Sequence, residues 1–480
     1  MTSQQSASLT RKLVLSACVL FTLIAALYPV TRTFFHTDRN YNEGWNVYNA
    51  ELVQHHQLIY PAQYAWTGVN YPMLSFVISA SLHHITHEYL FTGRILSIVS
   101  MLLCALLIGA ICRRLGATAY AYAVAAIFTF ALFATSASAY IGMDDPQLPA
   151  LVFFLTAFWI YLRDRTSYAG LLLSAFVFVL GISTKHNSVD IPFVVLVDLL
   201  LLRAFSRALW FSVCGIALGV LSIALHIHFG GPFFAAQILA PRAFSWAFAF
   251  HSGSNVFKPL FFLLCLALYL AWKTLRDPIR RIAGMLLIAG LIFGAYFGGG
   301  SGVGVNSKFT AFFAMAILIG LWLSDLEIAP KQRPAYALVP LLLFALLVFP
   351  WFNNRSEHPI LGLTTMQAKQ TEYDEEIALL RSRPGPALCE SILRCYDSGK
   401  PYIYDPFNAT RLIAFGKLDP QVLIDQIHQR DFAAIQMEHP VPIARASHSG
   451  RFSPGILDAI EAAYTPVLQH DDTIIYVPKP

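Results

Sequence analysis

The sequence predicts an α-helical polytopic membrane protein with a small α/β domain at its C-terminal end. Three observations carry this. Of the 480 residues, 56% are hydrophobic and only 13% are charged, about half the charged share usual in soluble domains. Apolar runs of membrane-spanning length recur from near Leu13 to about Pro350. After Trp351 the chain turns polar and charged, with turn residues throughout, over a stretch long enough for a small domain. The expected division is a membrane module over 1–350 and a soluble domain over 351–480.

The first apolar run, LVLSACVLFTLIAALYPV, has no small-residue cleavage site behind it and reads as a retained anchor. Cations then cluster at Arg11–Lys12, Arg113–Arg114, Arg163–Arg165, Arg203–Arg207, Lys273–Arg281 and Lys331–Arg333. Such clusters mark cytoplasmic loops, so two crossings must separate each successive pair. Tyr168–Thr184 with Val189–Leu202, Leu209–Phe229 with Phe257–Trp272, and Ile282–Phe297 with Ser307–Leu323 meet this condition. Leu13–Val30 and Ile95–Cys112 form the first pair only if Pro72–Ile85, too short for a comfortable span, is interfacial or re-entrant. The expectation is about eleven spans, with the N-terminus cytoplasmic and the tail outside.

The outer face then collects the loop 31–94, the turns YIGMDDPQ and STKHNS, the loop Gly230 to Lys258, the turn GGGSGVGVNSK and the tail. In DRNYNEGW, Asn42 reads as a helix N-cap with Glu43 in the first turn. Trp45, Tyr48 and Leu52 follow at helical spacing, which predicts an amphipathic helix on the membrane surface. Glu43 either complements that helix's dipole or is a carboxylate held for chemistry as base or metal ligand; Asp38 is open to both readings. Asp145 before Pro146 is a good N-cap, which leaves Asp144 unexplained. Two adjacent acids at the lip of a span call for something cationic nearby, a metal or an acceptor group.

Few cations are expected on the outer face. Lys185, Arg242, Lys258 and Lys308 abut apolar helices where a lipid phosphate would lie, and Arg or Lys side chains hold phosphate well; snorkelling at a helix end is the plainer reading. His83 and His87 at i, i+4 permit a metal site, a weak signal without a matching acid, and interfacial packing is the preferred reading. Among the seven cysteines, Cys389 and Cys395 lie in the tail, where export would allow a disulfide and two free thiols are the alternative.

The order of these parts resembles the GT-C-type membrane glycosyltransferases, the broad group that includes protein O-mannosyltransferases and lipid A aminoarabinose transferase. NEGWNVYNA stands where those enzymes carry an acidic motif, usually Asp-Glu followed by Gly. YPMLSFVISASLHHIT, GRILSIVSMLLCALLIGAICRRLG, YIGMDDPQLPALVFFLTAFWIYLR, GISTKHNSVDIPF and GGGSGVGVNSKF are similar to the segments that follow, over roughly Leu13 to Leu323. The resemblance implies a bacterial inner-membrane, inverting enzyme. It would move a sugar from a polyprenyl-phosphate carrier to a glycan, lipid or protein acceptor on the extracytoplasmic face. It implies Glu43 or Asp38 as the base, because Asn42 replaces the usual Asp and an amide is no base. Asp144 and Asp145 would then hold the acceptor or a divalent cation, and Lys185, Arg242, Lys258 and Lys308 the lipid phosphate. Membrane lipids are expected partners and nucleic acid is not.

The alternative is a lipid or solute transporter, whose signature is intramembrane charge; here Asp190 and Asp198 are the main mid-span acids. In the tail, PYIYD, FAAIQM and TIIYVPK predict strands and YDEEIALLRSR and LDPQVLIDQIHQ predict helices, an alternation suited to a three-layer sandwich.

Overall fold

A computed structural model of the chain describes residues 3–328, 334–353, 359–446 and 451–480. The basic loop expected at Lys331–Arg333 falls outside these residues. The membrane module begins with α1 (Ser3–Thr31), followed by two helices of the first loop, α2 (Tyr41–Gln54) and α3 (Leu74–Thr86). Next come α4 (Tyr89–Arg114), α5 (Ala119–Ser136), α6 (Gln147–Arg163), α7 (Tyr168–Thr184), α8 (Asp190–Leu201) and α9 (Phe205–Gly230). The short α10 (Phe234–Ile238) leads to α11 (Trp246–Phe257), α12 (Phe261–Thr274), α13 (Arg281–Gly298), α14 (Phe309–Ile328), α15 (Val339–Ala345) and α16 (Val348–Phe352).

Six of these helical segments are long and apolar enough to cross a membrane, or seven if α11 and α12, bent by 99° at their break, count as one span. α6, α7, α3 and the segment Tyr336–Phe352 are apolar but shorter. The chain is a multi-pass membrane protein. Its most buried long segment, Val305–Ile328, is 83% enclosed by its neighbours. By contrast α9 is only 17% enclosed and presents Leu209, Ile216, Val220, Leu221 and Phe229 outward. Outward apolar side chains on a helix whose backbone is internally satisfied are what a lipid environment demands.

The charged loops gather into ion-paired groups at the helix ends. Asp198, fully buried at the end of α8, pairs with Arg165 and Arg281 and accepts from the Tyr161 hydroxyl. Arg11 pairs with Glu327, and Arg207 donates to the Arg165 carbonyl. Cationic loops far apart in sequence therefore meet at one end of the bundle. The acidic turns meet at the other.

α2 is not the surface helix its spacing predicts. Glu43 to Ala50 are all buried, because the C-terminal domain lies over it. Its cap is Asn40, two residues before the expected Asn42, with Oδ1 accepting from the Asn42 N–H. Gly44 permits the overlay: a Cβ there would stand 2.1 Å from the Leu393 nitrogen.

The C-terminal domain begins with α17 (Pro359–Ser382) and holds a four-stranded sheet of order β1-β2-β4-β3, from β1 (Ala387–Cys389), β2 (Ala434–Met437), β3 (Tyr464–His470) and β4 (Thr473–Pro478). β1 runs parallel to β2, and the other pairings are antiparallel. The remaining helices are α18 (Ile392–Asp397), α19 (Pro406–Ala414), α20 (Pro420–Gln429), α21 (Val441–Ala446) and α22 (Pro454–Ala463). Alternation along the strands sends Ile435, Met437 and Ile474 to α20 and α22, and Ala434 and Ile475 to Leu380 of α17. Helices thus cover both faces, as the three-layer expectation requires. PYIYD is not a strand: Tyr402 stacks on Tyr48 of α2 at 4.8 Å and the Asp405 N–H bonds the Trp66 carbonyl, so its β-favouring residues serve the junction with the membrane module. Cys389 and Cys395 form a disulfide.

Close packing inside the bundle gives one prediction. A Cβ on Gly320 of α14 would lie 2.8 Å from the Ala125 Cβ and 3.0 Å from the Cys112 sulfur. Gly320→Val should destabilise the bundle by about 1–3 kcal/mol through overpacking, read as a lower melting temperature of the detergent-solubilised protein.

Candidate active site

Glu43 is fully buried in the first turn of α2, and its carboxylate is saturated. Oε1 and Oε2 accept from Nε and Nη2 of Arg94 at 2.8 and 2.7 Å. Oε2 also accepts from the Arg39 N–H at 2.8 Å and Oε1 from the Asp144 N–H at 3.1 Å. Arg94, 1% exposed, spends further donors on the Phe35 and Thr37 carbonyls. A bidentate guanidinium–carboxylate pair of this kind satisfies both partners without water. It ties three pieces together: the loop after α1, α4 and the turn before α6. Asp38 is committed elsewhere. It meets Nη1 of Arg394 at 2.7 Å and the Ser391 hydroxyl, both in the C-terminal domain, and Arg394 also holds Glu376. Although burial opposes it, the Arg394 charge keeps the Asp38 carboxyl below the usual range.

Asp144 is the contrast. It is 6% exposed. Its backbone is held at both ends, its N–H by Glu43 and its carbonyl by Nδ2 of Asn46 at 2.6 Å. Its carboxyl oxygens accept no hydrogen bond among the described residues. Asp144 lines a small cavity of about 10 Å³ together with Asn46, Ser75, Ser79, Gly93 and Pro146. Burial, then the charges of Glu43 and Asp145, push the Asp144 carboxyl well above the usual range. Gly93 of α4 makes room for it: a Cβ there would lie 2.0 Å from Oδ1.

Asp145 answers the expectation of a nearby cation through Lys185, whose ammonium stands 2.7 and 3.0 Å from its oxygens. The cap position of α6 falls on Pro146, one residue after the expected Asp145, whose Oδ1 still accepts from the Gln147 N–H at 2.7 Å. The Asn42 amide nitrogen, 3.5 Å from Oδ2 of Asp145, points its donor at that acid. Lys185 lies 4.5 Å from the centre of the Tyr71 ring. Burial, and then the charge of Arg242, act against its protonation, with Asp145 opposing both. Burial also pushes the neighbouring His186 down to about 4.

The other expected phosphate ligands diverge. Arg242 is half-buried near this group and makes no hydrogen bond or ion pair among the described residues. Lys308 is buried and donates to the Gly294 carbonyl and the Ser307 hydroxyl, so it ties α13 to α14. Lys258 is exposed at the break between α11 and α12. His83 stacks on Tyr89 at 3.8 Å, the packing role, and no three His, Cys, Asp or Glu side chains among the described residues are grouped to hold a metal.

The sequence reading missed Gln147, fully buried. Its side-chain oxygen accepts from Asn187 and Asn306 at 3.0 Å each, and its nitrogen reaches Ser188. One amide thereby fastens three turns at this end of the bundle together. Nothing in DDPQ marks that role, because its partners lie 40 and 159 positions away.

Breaking the Glu43–Arg94 pair should unfold this end of the protein before it reports on chemistry. Glu43→Ala or Arg94→Ala should each destabilise by about 3–5 kcal/mol, since each leaves a buried charge alone. Thermal unfolding of the two single variants and the double variant, with the double less damaged than the singles sum to, checks this.

Neither protein-family models nor curated protein sequences match the chain. Solved structures do. ArnT from Cupriavidus metallidurans superposes with TM-score 0.60 in the apo state and 0.61 bound to undecaprenyl phosphate. In both cases identity is 13%, with 95% of this chain and 97% of that chain covered. The archaeal oligosaccharyltransferase AglB from Archaeoglobus fulgidus, in complex with an inhibitory peptide and a dolichol-phosphate, matches at TM-score 0.54 and 12% identity. That match covers 98% of this chain and 74% of AglB. Membrane module and C-terminal domain together therefore have the GT-C-type fold shared by ArnT and AglB.

Proposed function

We propose that this chain is a membrane glycosyltransferase that moves a sugar from a polyprenyl-phosphate carrier to an acceptor, with inversion at the anomeric carbon. The observation that carries the reading is the Asp144 carboxyl: buried, unpartnered, of raised proton affinity, and part of a residue that lines a small cavity beside the Asp145–Lys185 pair. A base poised in this way suits removal of a proton from an acceptor hydroxyl or amine. The like fold of ArnT bound to undecaprenyl phosphate and of AglB bound to dolichol-phosphate supports the lipid carrier.

In the reaction, Asp144 takes the acceptor proton as the acceptor atom bonds to the anomeric carbon. The bond from that carbon to the phosphate oxygen breaks on the opposite face, and its electron pair leaves with the lipid phosphate. Lys185 and Arg242 are the cations placed to meet that developing charge, and such fixed charges are a large part of catalysis in acyl and phosphoryl chemistry. Glu43 acts through Asp144: its oxygen holds the Asp144 N–H and its charge raises the Asp144 carboxyl. This moves the base role from Glu43 or Asp38, whose oxygens are bound to arginines, to Asp144. Asp145 orients Lys185. Lys258 and Lys308 are left as outer contacts for lipid and as a helix tie.

We place the site on the extracytoplasmic face of a bacterial inner membrane, with the membrane module at 1–350 and the soluble domain at 351–480. The cationic loops gather at the opposite end of the bundle, as the positive-inside rule asks, and the Cys389–Cys395 disulfide suits an oxidising compartment. A transporter is disfavoured because Asp198, one of the two mid-span acids, is neutralised by Arg165 and Arg281 at the cationic end.

With a polyprenyl-phosphate sugar as donor, Asp144→Asn should lower kcat by about 10²–10⁴ while the melting temperature holds. Because the base must be unprotonated, wild-type kcat/KM should fall as pH drops through the raised Asp144 pKa. That acid limb should lie above the ordinary carboxylate range near ~4 and should vanish in Asp144→Asn. Full activity of Asp144→Asn would remove the residue from the mechanism.

A further inference from the structure

Three arginines converge where the C-terminal domain meets the membrane module. Arg242 lies between α10 and α11, Arg411 on α19, and Arg451 ahead of α22. The guanidinium carbons of Arg242 and Arg411 stand 5.8 and 5.9 Å from the centre of one ring, Phe407. That of Arg451 stands 4.2 Å from the Tyr41 ring, and the two rings are 5.6 Å apart. All three cations therefore surround a single pair of touching aromatic rings.

No side-chain hydrogen bond or ion pair engages any of the three among the described residues. Nε of Arg411 and Nη1 of Arg451 are buried without a partner. The acid at hand, Asp405, is fully buried and caps α19: its oxygens accept from the Phe407 and Asn408 N–H groups and from Nδ2 of Asn408. Burial, then the charge of Arg242, lower the Arg411 guanidinium to about 10, with Asp405 opposing them. Buried donors without acceptors are unfavourable, and cation–π contacts replace little of what a guanidinium loses on leaving water. What restores the balance is an oxyanion, and a tetrahedral phosphate offers oxygens to several guanidinium forks at once.

The site is built across the two halves of the molecule. Gly302, at φ +76°, sits in the GGGSGVG turn, and a Cβ there would lie 2.4 Å from the Phe407 ring. The glycine turn of the membrane module thus seats the ring on which the arginines of both halves converge. Tyr41 opens α2, so the same cluster touches the helix that carries Glu43.

We propose that Arg242, Arg411 and Arg451 form one phosphate-binding site shared between the membrane module and the C-terminal domain. Its occupant is the phosphate of the lipid carrier or a phosphate on the acceptor, an assignment of source that rests on the transferase reading above. The C-terminal domain then takes a direct part in binding substrate.

The test uses full-length protein in nanodiscs, with undecaprenyl phosphate and inorganic phosphate as separate probes. Arg411→Gln with Arg451→Gln is compared with the charge-keeping Arg411→Lys with Arg451→Lys, and with Arg445→Gln, an exposed arginine of the same domain. Losing two charge-assisted bonds should weaken undecaprenyl phosphate binding at least about tenfold in the glutamine pair. The lysine pair should recover part of the loss and Arg445→Gln should match wild type, with equal melting temperatures throughout. If only inorganic phosphate binding falls, the site takes the acceptor's phosphate. If neither probe is weakened while wild type binds undecaprenyl phosphate, the shared site is overturned and the transferase reading stands. If wild type binds inorganic phosphate through these arginines and does not bind undecaprenyl phosphate, the site stands and the transferase reading falls.

Discussion

The Glu43–Arg94 ion pair is the constraint around which the end of the bundle opposite the cationic loops is organised. Both side chains are out of solvent, where a lone charge is intolerable and a paired one still needs its remaining oxygens and protons satisfied. The pair meets that demand by drawing in backbone from three places: Phe35, Thr37 and Arg39 of the first loop, and Asp144 of the turn before α6. Electrostatics therefore dictates where the loop runs. It also leaves Asp144 in an unusual state, its backbone fixed and its carboxyl unmatched. The same Glu43 charge that positions Asp144 raises its affinity for a proton. One buried pair thus supplies both the geometry and the proton affinity from which a base can be made.

A second constraint is the overlay of the C-terminal domain on α2. Gly44 against Leu393, Tyr48 stacked on Tyr402, and Asp38 on Arg394 are close contacts between segments far apart in the chain. They turn α2 from a helix with a lipid-facing or solvent-facing side into a buried one. They also bring α19 and the segment around Arg451 over the turns at this end of the bundle. The domain reads less as an appendage than as the roof of the site, and the cationic cluster at Phe407 lies where roof and wall meet.

Much of this was legible in the sequence, for reasons that can be named. Apolar length specifies a helix locally, so the apolar runs from Leu13 to Pro350 fall largely on helices, of which six or seven are long and apolar enough to span. Clustered Lys and Arg specify one end of the bundle because a charge cannot be left in the hydrocarbon. Asp144 stood out because capping accounted for Asp145 and not for its neighbour. Other features were illegible for equally physical reasons. PYIYD has the composition of a strand, but strand formation needs a partner edge, and its aromatic rings find α2 instead. Ala387–Cys389 is too short to show a period, and it is a strand because β2 pairs with it in parallel.

By itself, then, the sequence determined the membrane-embedded class, the change to a polar, sheet-bearing C-terminal region, and which turns carry acids and cations, because each follows from local composition and spacing. Tertiary structure alone decided which carboxylate is neutralised and which is left free. Glu43 and Asp144 are both acids beside apolar helices, and what separates them is whether an arginine from another helix reaches them. It likewise decided that Lys308 ties two helices while Arg242, Arg411 and Arg451 stand unmatched together. Charge is a property of the residue; whether it is satisfied is a property of its surroundings.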